Sequence, residues 1–229
     1  MIVAKQKNID DIIRSVEPFN RVAVAGCGVC VTVCMSGGEK EALRVARLLH
    51  LNALDKGRDV DITVTTPHRQ CDVEFLDSSE ADLEAADCIL SMACGAGVQF
   101  MVEKFPDKVV VPGLDTTFIG VNRDLGYWTE MCQGCGNCIL EKTGGICPVA
   151  RCSKSIFNGP CGGSASGKCE IDENIDCAWQ LIYERMKRLG RLDSLLELED
   201  IRDWSTSRDG GPRSMQREDV RIESSKVVK

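Results

Sequence analysis

RVAVAGCGVCVTVCMSGGEKEALRVARLLHLNALDKGRDVDITVTT, residues 21–66, decides the fold class. Arg21–Ala25 (RVAVA) is a continuous apolar run of strand length, the pattern of a strand buried on both faces, and Gly26 ends it. From Gly37 to about Leu54, Ala42, Val45, Ala46 and Leu49 recur at the spacing of one helical face, with Ser36 as the expected N-cap and Gly57 as the stop. Val60–Thr66 (VDITVTT) is a second strand, closed by Pro67. Strand, helix and strand in that order predict parallel pairing through a right-handed crossover.

The same alternation continues on both sides. Ile9, Ile12, Ile13 and Val16 share one face of a short helix over residues 9–16. Ser79–Ala86 reads as a helix, Asp87–Met92 (DCILSM) as a third strand, Ala96–Lys104 as a helix and Lys108–Val111 as a fourth strand. The expectation is an α/β protein: a small Rossmann- or flavodoxin-like parallel sheet over residues 1–112. Residues 113–131 read as a connector. Residues 132–204 are rich in Cys and Gly and poor in large hydrophobic side chains, which predicts a metal-stabilised module. It closes with a C-terminal helix over Ala178–Gly190, striped by Trp179, Ile182, Tyr183, Met186 and Leu189. Residues 205–229 read as a flexible tail, with Gly210, Gly211 and Pro212 and the preceding helix as docking elements for a partner.

Composition narrows the function. With 28 basic and 35 acidic residues the net charge is −7, which argues against nucleic-acid binding, and no apolar run reaches the length of a membrane span. The N-terminus lacks the pattern of a secretory signal, so a cytoplasmic location is expected. There, 14 cysteines point to metal or redox chemistry rather than disulfides. The 2 histidines, His50 and His68, leave any metal site nearly all thiolate, as in iron–sulfur clusters or four-cysteine zinc sites.

Cys132-x2-Cys135-x2-Cys138 followed by Cys147-Pro148 is the strongest motif, because one short loop then offers a thiolate to three irons of a cubane. Cys152, Cys161, Cys169 and Cys177 follow at wider spacing. Eight cysteines permit two sets of four, one being Cys132, Cys135 and Cys138 with Cys177 or Cys147. A pair of structural zinc sites is the rival reading. A second constellation, Cys27, Cys30 and Cys34, occupies the first strand-to-helix turn, and Cys94 or Cys71 completes four. Ligands of open α/β sheets sit at the carboxyl ends of the strands. Five cysteines, 27, 30, 34, 71 and 94, are therefore expected to converge on that edge, whereas Cys88, inside a strand, reads as core. The glycines there match neither GxGxxG nor a Walker loop, which leaves flavin binding a weaker reading. No nucleophile–base pair is visible, and the acidic groups Asp10–Asp11 and Glu197, Glu199 and Asp200 read as solvated faces.

CQGCGNCILEKTGGICPVARCSKSIFNGPCGGSASGKCEIDENIDCAWQLIYERM, residues 132–186, resembles the C-terminal cysteine-rich domain of methylenetetrahydrofolate reductases. GCGVCVTVCMSGGEKE (26–41) and ACGAGVQF (93–100) resemble the small, MetV-type subunit of such enzymes from acetogens and related anaerobes. The resemblance implies that Cys132, Cys135, Cys138, Cys147, Cys152, Cys161, Cys169 and Cys177, and an N-terminal set of Cys27, Cys30, Cys34 and Cys94, bind [4Fe–4S] clusters, or zinc at some positions. It further implies a MetF-type partner, a flavin-bearing (β/α)8 barrel that reduces 5,10-methylenetetrahydrofolate to 5-methyltetrahydrofolate with FMN on that partner. Ferredoxin or a larger redox complex would supply electrons. No barrel of eight strand–helix units fits in this chain, so the expected role is a non-catalytic electron-transfer subunit. The alternatives are a zinc-bound scaffold of the same complex and a thiol redox sensor.

Overall fold

The computed structural model describes residues 1–198, 200–217 and 219, and the chain divides into two compact units at Met131/Cys132. The first unit contains β1 (Ile2–Gln6), α1 (Ile9–Val16), β2 (Arg21–Ala25), α2 (Cys30–Val33), α3 (Glu39–Asp55) and β3 (Asp61–Thr65). It continues with α4 (Val73–Leu76), α5 (Glu80–Ala85), β4 (Cys88–Ser91), α6 (Gly95–Lys104), β5 (Val109–Pro112), β6 (Leu114–Asp124) and β7 (Tyr127–Cys132).

Strands β3-β2-β4-β5 form one sheet in that order, all parallel, with Val22 beside Ile62 on one side and beside Cys88 on the other. Taken in chain order, the second strand of this sheet lies outside the first and the third lies on its other side, which is the flavodoxin-like order. The α/β expectation is thus met. Period-2 alternation explains why both faces are covered. Val22, Val24, Cys88 and Leu90 share a core with α1, α3 and β1 residues such as Ile12, Val45 and Ala4. Ala23, Ala25 and Ile89 point the other way, into a core with Leu76, Leu83, Met101 and Phe105. The helix expected to start after Ser36 starts two residues later. Gly38 is its N-cap, and the Gly38 amide donates to Glu41 Oε2 (3.0 Å). Ser36 instead accepts or donates at the Cys34 sulfur (3.1 Å).

The stretch read as a connector is structured. β6 and β7 join β1 in a second sheet, order β1-β6-β7, with Ile2 opposite Ile119 in antiparallel register. β6 exposes most of its side chains, so it lacks the apolar alternation that marks a strand in sequence.

The second unit begins at Cys132 and has little regular structure beyond α7 (Pro148–Arg151) and α8 (Ala178–Arg188). Of the α8 stripe, Ile182 and Met186 are fully buried, while Tyr183 and Leu189 are exposed. The beginning of the expected tail is docked: Thr206 Oγ1 donates to Cys135 O (3.0 Å) and Arg213 Nη1 to Thr206 O (2.9 Å). Glu199 and the end of the tail, residues 218 and 220–229, lie outside the described residues. No helix among the described residues is long and apolar enough to cross a membrane.

Candidate metal centre

The parallel sheet reverses its direction of growth between β2 and β4, and such switch points are where open α/β sheets bind ligands. The chain leaving β2 carries Cys27, which is buried, and Cys30, the first residue of α2. The chain leaving β4 carries Cys94, the N-cap of the ten-residue α6. The loop after β3 carries Cys71. Gly28 donates its amide to Pro67 O (3.1 Å), and a Cβ there would lie 3.2 Å from His68 Cα, so a larger residue would push the two loops slightly apart.

Gln70 pins these loops together. It is fully buried; its Nε2 donates to Ala25 O and Gly26 O (2.7 Å each), and its Oε1 accepts from Ser91 Oγ (2.6 Å). A single amide thus ties the loop beside Cys71 to the exits of both β2 and β4. The first turn of α6 closes on it, since a Cβ on Gly97 would sit 3.0 Å from Gln70 Cβ. Electrostatics agree with this placement. Burial pushes the Cys27 thiol up, and the neighbouring Cys94 and Cys71 sulfurs push the same way. Burial also raises Cys71, with Cys94 and Cys30 adding to the effect.

Cys34, in the same buried cluster as Cys27, turns its sulfur towards β1. Its sulfur is in the core cluster with Val3 and Ala4 and makes contacts with Ala4 O (3.7 Å) and Ser36 Oγ. Cys88, fully buried in β4, has its thiol pushed up to about 12 by burial and is an inert core residue.

In the second unit, Gly134 and Gly136 take positive φ (61° and 80°) between the cysteines of the 132–138 loop. The Gly134 amide donates to Cys132 Sγ (3.3 Å), and Arg202 Nη2 donates to Cys135 Sγ (2.9 Å). Cys147 is the N-cap of α7, with Pro148 as its first residue. The four remaining cysteines, Cys152, Cys161, Cys169 and Cys177, line one cavity of about 20 Å³. This groups Cys177 with that ring rather than with the 132–138 run. Thiolate-favouring donors are in place around it: the Gly163 amide reaches Cys161 Sγ (3.4 Å). The Ile171 backbone, then the Ser153 side chain and the Asp172 backbone, hold the Cys169 thiol below its ordinary range, with the Lys154 charge adding to them.

Among the described residues, no group of three or more His, Cys, Asp or Glu side chains is close enough to hold a single metal ion. Neither Gln70 nor Arg202 stood out in sequence. Each is a lone polar residue with no motif, and only its burial shows that it organises thiols.

Nothing among curated proteins or solved structures matches the chain. Residues 111–205 match the family described as methylene-tetrahydrofolate reductase C terminal, a segment that spans β6, β7 and all eight cysteines of the second unit. That segment is similar to the C-terminal region of methylenetetrahydrofolate reductases, which supports the reading of the chain as a MetV-type subunit of such a reductase.

Proposed function

We propose that this chain is an electron-transfer subunit that holds iron–sulfur clusters and passes electrons to the flavin of a MetF-type partner, where 5,10-methylenetetrahydrofolate is reduced. The observation that supports the proposal is that the loops leaving the carboxyl ends of β2, β3 and β4 carry Cys27, Cys30, Cys71 and Cys94, the edge where other α/β proteins bind a nucleotide. Cys71 takes the place that the resemblance gave to Cys34. In the second unit, Cys147 is the remaining thiol for Cys132, Cys135 and Cys138.

A bound [4Fe–4S] cluster would supply one-electron storage at each such site. The residues of the chain do the rest. Four sulfurs would ligate it, the buried Cys27 side would keep water away, and amide donors such as Gly134 N would stabilise the anionic sulfur. Ferredoxin or a larger redox complex is the proposed donor. For the ring of Cys152, Cys161, Cys169 and Cys177, a second reading is favoured by its small cavity, which has space for about one water-sized sphere. There a structural zinc held by four cysteines is the better fit.

The test is anaerobic purification of the full chain, with iron, acid-labile sulfide and zinc analysis and EPR. The expected result is equal iron and sulfide, with Cys71→Ser losing one cluster's worth, about four irons, and Cys34→Ser losing none. Zinc without iron would leave the scaffold reading in its place, and iron loss in Cys34→Ser but not in Cys71→Ser would reverse the ligand assignment.

A further inference from the structure

Arg202 is 9 % exposed, and none of the acidic side chains among the described residues forms an ion pair with it. Its guanidinium packs into the corner formed by the edge-to-face rings of Phe157 and Trp204, with centroids 4.9 and 4.6 Å away. Those faces accept a cation but no hydrogen bond. Along its edge, Nη2 donates to Cys135 Sγ (2.9 Å) and to Asn137 O (2.5 Å). Nε and Nη1 are buried with no acceptor. A permanently charged group is rarely buried with unpaired donors unless an anion completes its surroundings.

The chain that carries Arg202 folds over the loop of Cys132, Cys135 and Cys138. Thr206 Oγ1 donates to Cys135 O (3.0 Å), and Arg213 Nη1 donates to Gly134 O and Thr206 O. A Cβ on Gly136 would lie 2.2 Å from Thr206 O, so glycine is required at the point of contact. Residues 202–213 are thus a strap that delivers one buried cation to one sulfur-rich loop.

We infer that Arg202 is a positioning residue for an anionic metal–thiolate group on the Cys132–Cys138 loop, its free N–H edge donating to metal-bound sulfur. The inference rests on the reading that this loop holds a metal, but not on whether that metal is iron or zinc. Neutral thiols would leave the guanidinium uncompensated; thiolates gathered on a metal carry the negative charge it needs. The strap then acts as a latch on metal release, and with a cluster bound, the cation favours the more negative, reduced state.

The experiment uses the full chain as purified without oxygen, with its metal identified. A chelator and a thiol-alkylating reagent are added together, and mass spectrometry follows the labelling of each cysteine. Arg202→Gln is expected to speed labelling of Cys132, Cys135 and Cys138 by about 10–100-fold, the usual effect of losing an outer partner of a metal ligand. Cys27 and Cys94 should be unchanged, and Arg202→Lys should recover most of the protection. Arg202→Met, which fills the aromatic cage without charge, serves if the Gln variant does not fold. If iron is present, Arg202→Gln should also lower the reduced-to-oxidised ratio at fixed potential about tenfold, or about 59 mV for one electron. Unchanged labelling, or Lys and Gln variants that behave alike, overturns the role of the charge. Zinc alone on this loop removes the electron relay from the loop and keeps the latch, whereas equal labelling with and without metal shows that the loop holds no metal and overturns the latch.

Discussion

The first 131 residues and the residues from Cys132 onward both gather thiols, by opposite means. In the first unit the thiols hang from a sheet that two apolar cores already hold in place, with Val24, Leu90 and Ile89 among many fully buried side chains. In the second, the buried hydrophobic side chains are few: Val149, Ala178, Ile182 and Met186. Loops shaped by positive-φ glycines, small ladders such as Lys168 to Asp176 and the Arg202 strap do the remaining work. On the proposed function, one unit is a scaffold that would receive a metal, whereas the other, with so small an apolar core, would need a metal to hold its fold.

That contrast is broken most directly by taking the metal away. Chelation of the full chain should melt the second unit and spare the first, because metal binding to such modules is worth on the order of 10 kcal/mol of folding free energy. Hydrogen exchange is the measurement. Protection should vanish in α8 and persist in β2 and β4; an α8 that stays protected in the metal-free chain would show that its short apolar stripe is a sufficient core.

The contrast is sharpened at Gln70, where scaffold and site meet. Gln70→Leu keeps the volume but removes the donors to Ala25 O and Gly26 O and the acceptor for Ser91 Oγ. Buried groups left unpaired cost about 1–3 kcal/mol, so the unfolding free energy of the first unit, measured by urea titration, should fall by that much. Metal should be lost from the switch point while the second unit keeps its own. Equal losses in both units would mean that Gln70 supports the whole chain rather than one site.

How legible these features were follows from the same physics. RVAVA and DCILSM announce themselves because strands buried on both faces are apolar throughout, and the βα order of the first unit was readable from them. β1 and β6 were not. They pair across more than a hundred residues, Ile2 with Ile119, and β6 faces outward along most of its length. The cysteine runs were plain, and so was the sheet edge from which the loops of Cys27, Cys30, Cys71 and Cys94 leave. What spacing left open was the direction of Cys34, since Cys-x2-Cys-x3-Cys does not reveal that the third side chain turns towards Ala4. Nor does it show which of the later cysteines share a cavity. Those outcomes depend on where a short turn points each sulfur, which local packing decides and spacing does not record.

The smallest expected effect lies at the end of the sheet away from the thiols. Asp87 precedes β4 and accepts from Arg21 at the start of β2, through Nη2 (2.5 Å), Nε (3.1 Å) and the backbone amide (3.2 Å). These bonds, Arg21's first, hold the Asp87 carboxyl below its ordinary 3.8. A depressed carboxyl stabilises the fold above its unfolded pKa, and the contribution fades as pH falls through the lower folded value. The pair is largely exposed and screened by solvent, so Asp87→Asn should lower stability only slightly at pH 7. The difference from the parent should shrink as acid protonates the parent carboxyl, and should shrink again in high salt. Urea titrations at neutral and at acid pH measure both trends. A deficit that grew on acidification would show that Asp87 acts through something other than its charge. Metal content at Cys27, Cys30, Cys71 and Cys94 should not change, because a parallel sheet with its own core carries no signal from one end to the other for so small a loss.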